Sequence, residues 1–468
     1  MTDHDRLRSA VTGQPPLTGR LEPWLADVLA DPTACADLLE RFGSPVNLID
    51  PAPLARNAAE LVRAGAERGV EVRVRFARKA NKALALVDAA LGAGHGVDVA
   101  SQAELAQVLE TGAPPERIIL SAAVKPTGLL ELAVRSGVTI SLDTAGELDA
   151  VAALATASGR VAPVAPRVAP RPGAGIAPTR FGELAGRWRD ALGAGPLEGV
   201  EVVGLHVHLG GYRAADRVVA LAECLDLVDH LVAAGHRPAM VDLGGGVPMS
   251  YLDDEAEWAD FWTALREPHP REQLTWRDRR LETVYPYWQT PVRGEWLGTV
   301  LDAPLPDTGT TASVALRRRG LALQLEPGRA LLDGCGATLA SVAFVKTRSD
   351  GVPLVGLEMN RTQCRSTSDD FLVDPVLLRR SEADEAISGF LVGAYCVEDE
   401  LILARRLHFP HGVAAGDVLV LVNTGGYLMH ILESASHQIP LARNLVRGPD
   451  GFALDRIDSA NHEQPRPR

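Results

Sequence analysis

Only four lysines occur in this 468-residue chain, Lys79, Lys82, Lys125 and Lys346, against a large excess of arginine. A guanidinium never gives up its proton, whereas a lysine amine can act as a nucleophile and form a Schiff base with an aldehyde when burial lowers its pKa. Lys79 stands where such chemistry is common. The run Val72, Arg73, Val74, Arg75, Phe76, Ala77 alternates like a strand, and the apolar stretch 83–91 behind it reads as a helix. The amine is therefore expected at the carboxyl end of a strand.

The elements that must position it follow from the same patterns. Eight β-rich runs alternate with helix-length segments, at 72–77, 96–100, 117–122, 138–143, 164–168, 202–208, 239–243 and 322–326. The alternation implies parallel strands with crossover helices. The count of eight, with no glycine fingerprint after the first strand, favours a closed (β/α)8 barrel of the TIM type over an open doubly wound sheet. Residues 46–328 are assigned to this barrel. It is interrupted at about 252–320 by an insertion holding Trp258, Trp262, Trp276, Trp288 and Trp296, five of the seven tryptophans. That insertion is expected either as a lid or wall over the barrel mouth or as a packed embellishment. Residues 329–468, together with 20–45, are assigned to a second, mostly β domain. The polar ends, 1–20 and 459–468, are expected to be mobile.

The polar and glycine residues collect at the strand ends, where a barrel builds its site. The second strand ends at Asp98, with Glu104 in the next helix. The sixth ends in His206 and His208, two apart and so on one side, followed by Gly210 and Gly211. The seventh ends in Gly244, Gly245 and Gly246, a loop of free amides able to receive a phosphate, and the eighth in Glu326, Pro327, Gly328 and Arg329. An aldehyde-bearing phosphate cofactor would use both Lys79 and the glycine–arginine pair. Taken residue by residue, His206 reads as a satisfied structural histidine, Lys125 as a solvated cation at a helix start, and Cys396 as a buried apolar thiol.

Bulk properties exclude other classes. A net charge of −13, from 47 basic and 60 acidic residues, with no basic run, argues against nucleic acid. The first twenty residues hold no apolar segment, so neither a secretion signal nor an anchor is expected, and no run has membrane-spanning length. Five scattered cysteines show no metal-binding spacing and fit reduced thiols in a cytoplasm; no metal is expected.

The segments 76–81, 94–105, 204–211, 242–248, 326–329, 393–396 and 425–427, in order and spacing, resemble the fold type III pyridoxal-phosphate decarboxylases, which include the diaminopimelate, ornithine and arginine decarboxylases. The resemblance implies an alanine racemase-like barrel with a C-terminal β domain, pyridoxal 5'-phosphate as cofactor, an amino acid substrate, and a homodimer with shared sites. It implies that Lys79 bonds the cofactor aldehyde and that His208 stacks on its ring. Glu326 would face the ring nitrogen, and Gly244, Gly245, Gly246, Arg329 and Tyr427 would bind the phosphate. Asp98, Gly210, Gly211 and Gly328 would line the cofactor, and Cys396 would reach into the partner's site. Departures are Gly211 in place of a serine, Arg180 in place of a lysine, and Val397 where these decarboxylases place an acid that contacts the substrate's distal amine. Glu398, Asp399 or Glu400 could replace that acid. Decarboxylation of an amino acid, as in the diaminopimelate decarboxylases, is the leading expectation, and the departures leave room for a non-standard substrate in secondary metabolism. Racemisation or elimination on the same fold, or a catalytically silent binding homologue, are the alternatives.

Overall fold

The computed structural model describes residues 7–267, 274–282, 284–306, 308–366, 371–380 and 382–459. Its first sheet is parallel throughout and runs, in chain order, through Val72–Ala77, Gly96–Val99, Ile118–Leu120, Thr139–Leu142, Ala162–Pro166, Val200–Val202, Gly204–His206, Met240–Asp242 and Ala322–Leu325. The sixth expected strand is split at Val203: its first half pairs with Ala162–Pro166 and its second half with Met240–Asp242. A bridge between Arg167 and His206 brings the two free edges together, and the sheet becomes a nearly closed barrel.

Local chemistry sets the turns that enter the helices. Ser101 accepts from the amide of Glu104 (3.2 Å) while the Glu104 carboxylate accepts from that of Ala100 (2.7 Å), and Thr144 and Glu147 repeat the arrangement two strands later. Gly137, at φ +73°, ends the helix Thr127–Ser136 in the left-handed conformation that suits glycine. Both caps lie on the same end of the barrel as Lys79, so that end is rigid.

The second sheet is built on the long strand Gly336–Thr347, which pairs antiparallel with Val418–Leu421 and with Pro353–Leu357. Val46–Ile49, expected to open the barrel, instead lies antiparallel on Gly336–Leu339 and parallel to Arg443–Gly448. Its four residues are buried on both faces, which an interior sheet strand requires and a barrel entry loop does not. The amino-terminal segment also departs from expectation. Residues 12–13 pair with 407–408, and Val11 and Leu17 are fully buried, so apolar anchoring outweighs the polar composition of that stretch. Residues 1–6 and 460–468, the remainder of the two ends, lie outside the described residues.

The insertion packs against both domains. The helix Arg293–Asp302 lies on Ala52–Ala66, with Trp296 buried and donating to the carbonyl of Tyr212 at 2.8 Å. Trp276 packs edge-on against Phe390 of the second domain, and its backbone N–H donates to the carbonyl of Ala404. Residues 268–273, 283 and 307 of the insertion lie outside the described residues. Among the described residues no helix is long and apolar enough to cross a membrane. Trp296→Ala removes a large buried ring and a satisfied N–H, and should lower unfolding free energy by about 3–5 kcal/mol in chemical denaturation.

Candidate active site

The carboxyl ends of the barrel strands deliver a connected set of charges. Lys79, on the short turn Arg78–Ala80 after the first strand, donates to Asp98 at 2.5 Å. Asp98 is fully buried, and its other oxygen accepts from the Ser121 hydroxyl at the end of the third strand. Burial works against charge on Lys79. The attraction of Asp98 and Glu326, with the hydrogen bond to Asp98, nevertheless holds its pKa above the ordinary lysine range. The expected depression is therefore absent: the free lysine is a cation, and a nucleophilic amine requires its proton to leave.

The opposite wall carries the acids. Asp242 accepts from the Gly244 amide at 2.7 Å and from Gln324 at 2.5 Å, and Arg75 in turn donates to Gln324 at 3.0 Å. Burial pushes the Asp242 carboxyl up to about 6. Glu326 is 1% exposed, and neither of its oxygens has a hydrogen-bond partner. Burial first, then Asp242 and Asp98, raise its pKa well above the carboxylate range. His206 Nε2 lies 3.5 Å from Glu326 and is likewise unpartnered. His206 is thus half satisfied, since its Nδ1 meets the Ser141 hydroxyl at 2.6 Å. His208, two residues on, packs edge-on to Phe181, and burial, with Lys79 and Arg167 nearby, lowers its pKa to about 4.

The glycine loop crosses between these walls. Gly244 and Gly246 have φ of +65° and +73°, and a Cβ on Gly244 would lie 2.6 Å from the carbonyl of Val207. Glycine is required there by both conformation and space. A Cβ on Gly328 would stand 2.8 Å from the Tyr427 hydroxyl, so that glycine admits a side chain from the second domain. Tyr427 is fixed by its amide on Ala80 (2.7 Å), and the Asn81 amide donates to Gly425 at 2.9 Å. Arg329 donates to Tyr251 (2.8 Å) and Ser366 (3.0 Å), with its guanidinium 4.2 Å above the Tyr285 ring and 5.2 Å from that of Tyr427. Tyr285 belongs to the insertion.

This chain is similar across most of its length to known proteins. Residues 56–269 match the family model described as pyridoxal-dependent decarboxylase, pyridoxal binding domain. An uncharacterized protein of Sinorhizobium fredii is 33% identical over 412 residues, covering 86% of this chain and 88% of that one. The chain belongs to the pyridoxal-dependent decarboxylases. The diaminopimelate decarboxylase of Pseudomonas aeruginosa is 25% identical over 86% of this chain and 87% of its own. Among solved structures, diaminopimelate decarboxylase from M. jannaschii in complex with L-lysine superposes with a TM-score of 0.69, covering 90% of this chain and 91% of the other, at 20% identity. That likeness is one of fold: the alanine racemase-like barrel with a mostly β carboxyl-terminal domain.

The family's cofactor is pyridoxal 5'-phosphate, and the residues present fit it. A buried carboxylate at Glu326 without a hydrogen-bond partner suits a protonated ring nitrogen, a glycine loop free of side chains with Arg329 suits a phosphate, and Lys79 is close enough to Glu326 to feel its charge. Asp98, His208, Glu326, Gly244, Gly245, Gly328, Arg329 and Tyr427 lie close to one another at the carboxyl ends of the strands. Gly210 and Gly211 have open space where a Cβ would stand. Cys396 is not among them. It is exposed on a turn beyond the strand Ile387–Val392, not the buried thiol its residue type suggests. Lys125 also departs from expectation, being buried and paired with Glu147 at 2.9 Å because the Thr144 turn brings that acid over it.

Sequence reasoning missed Arg167, Ser121, Ser141 and Gln324. Arg167 is 2% exposed and joins Asp143 (3.0 Å), the carbonyl of Ser121 (2.7 Å) and Ser141 (3.2 Å). An arginine inside the apolar run 162–168 was the available signal for it.

Two outcomes test these electrostatics. Asp98→Asn removes the main attraction on the Lys79 ammonium, so capture of pyridoxal phosphate by the cofactor-free protein should extend about one to two pH units lower; stopped-flow absorbance checks it. Glu326 has a raised folded-state pKa, so its ionisation costs stability once pH exceeds the unfolded value. Glu326→Gln should stabilise the cofactor-free protein at pH 8 by about 1–3 kcal/mol, and the gain should vanish near pH 4, as read by calorimetry.

Proposed function

We propose that this protein decarboxylates an amino acid with pyridoxal phosphate bonded to Lys79, and that its substrate side chain lacks a distal ammonium group. The unpartnered Glu326 carboxylate, opposite the single lysine at the cleft, carries the reading. Bound between them, the cofactor supplies an aldehyde for the amine and a ring that accepts electrons released at Cα. Lys79 holds and releases the aldehyde carbon, with Asp98 and Ser121 fixing where its nitrogen points. Glu326 keeps the proton on the ring nitrogen, because an anion beside it favours the charged ring. The phosphate would be held by the remaining amides of the glycine loop, Gly211, Arg329 and Tyr427, and His208, neutral at physiological pH, would lie against the ring.

Cys396, exposed on its turn, is assigned to the site of a second copy, where its thiol returns a proton to Cα. The acids beside it favour the choice of substrate. Val397 is 48% exposed and apolar. Glu398 is held by Arg277 (2.9 Å), Asp399 by Arg279 (2.7 Å) and Trp276 (3.2 Å), and Glu400 is buried against the amide of Arg361 (2.8 Å). These pairings in the free chain support the reading that none of the three replaces an acid at position 397.

A panel of amino acids assayed for released carbon dioxide tests the reaction. Turnover is expected for substrates without a distal ammonium, while inversion at Cα without carbon dioxide would overturn it. Borohydride reduction and peptide mapping should place the cofactor on Lys79. Mixing inactive Lys79→Ala and Cys396→Ala proteins should restore about a quarter of full activity, since random pairing leaves one intact site in half of the dimers.

A further inference from the structure

Two buried groups that lack partners face each other, His206 Nε2 and the Glu326 carboxylate, 3.5 Å apart. What lies behind the histidine fixes which of them brings the proton. Arg167 Nε can only donate, and it points at the Ser141 hydroxyl (3.2 Å) and at His206 Nδ1 (3.4 Å). Ser141 therefore accepts from the arginine and passes its own hydrogen to Nδ1 across 2.6 Å. A ring nitrogen faced by two donors has to be the acceptor, so the neutral imidazole carries its hydrogen on Nε2, directed at Glu326. Arg167 cannot rotate out of this role. Its other nitrogens are bound by Asp143 and the carbonyl of Ser121, and it is 2% exposed.

We propose that Arg167, Ser141 and His206 form a one-way donor relay that presents an N–H to Glu326 and so lowers the cost of placing charge on this fully buried carboxylate. His206 is then a positioning residue: it touches Glu326, and through it the ring nitrogen, on the reading that Glu326 faces that nitrogen. The relay has work to do. Glu326 is faced by Asp242 and Asp98, which oppose its charge, and by Lys79 and Arg167, which favour it. Lys79 is held by Asp98, and the imidazole N–H faces Glu326 at 3.5 Å beside the Asp242 carboxyl. His206 itself is faced by Arg167, His208, Lys79 and Lys125, all unfavourable to a second proton, and burial adds to them, so it serves as a neutral donor.

The test reads Glu326 in the cofactor-free protein, by infrared titration of the carboxylate band in 13C-glutamate-labelled samples, with Glu326→Gln assigning the band. His206→Leu should move the midpoint upward by about one pH unit, the size of one lost hydrogen bond to a charged group. Ser141→Ala, which releases the tautomer but keeps the ring, should shift it in the same direction by less. His206→Gln offers an amide N–H near the Nε2 position and should return it toward the parent value. An unmoved midpoint in Ser141→Ala and in whichever His206 variant folds overturns the relay. Failure of the cofactor to bond Lys79 would instead remove the parent reading and leave this titration as it stands.

Discussion

Three carboxylates buried at one end of a parallel barrel are the constraint to which the rest of the site answers. Ionised acids out of water need donors, and each of the three meets that need differently. Asp98 takes Lys79 and Ser121. Asp242 takes a loop amide and Gln324, which Arg75 holds from below. Glu326 makes no hydrogen bond of ordinary length and is faced instead by His206 Nε2 at 3.5 Å, so it is the least satisfied of the three. The arrangement trades stability of the empty protein for affinity toward the ring that fills it.

A second layer prevents these groups from relaxing toward one another. Arg329 would otherwise swing to the nearest acid, but Tyr251, Ser366, Tyr285 and Tyr427 hold its guanidinium on all sides. Tyr427 arrives from the second domain and is pinned by the carbonyl of Ala80, the residue after the reactive lysine. The two domains thus meet at the cleft itself, and the glycine at 328 is what allows the approach.

How much of this could be read from the sequence varied with the physics involved. The strands were legible because buried parallel strands are continuous apolar runs, and the reactive groups because glycines, a scarce lysine and a Glu-Pro-Gly-Arg turn punctuate their ends. The split of the sixth strand at Val203 was not, since a change of pairing partner leaves no mark in composition. Val46–Ile49 reads equally well as a barrel or a sandwich strand, and only its neighbours decide. Lys125 was misread because a helix-start lysine looks solvated until the acid that folds over it is known. The role of His206 escaped for a related reason. Residue type suggested a satisfied ring, and the ring is satisfied on one nitrogen only.

The insertion also becomes intelligible at this level, although its sequence announced little beyond tryptophans. Two neighbouring stretches in its middle do related jobs. Tyr285 stacks under Arg329 in the cleft, while Arg277 and Arg279 bind the acids that follow Cys396 on the second domain. Each exposed pair of this second kind contributes little alone. Trp276, however, is buried against Phe390 between them, and it converts two surface pairs into one anchored contact. A loop braced in this way gives up part of its conformational freedom within the chain itself. The same segment that shapes the anion end of the cleft thereby sets the stance of the loop that carries the thiol.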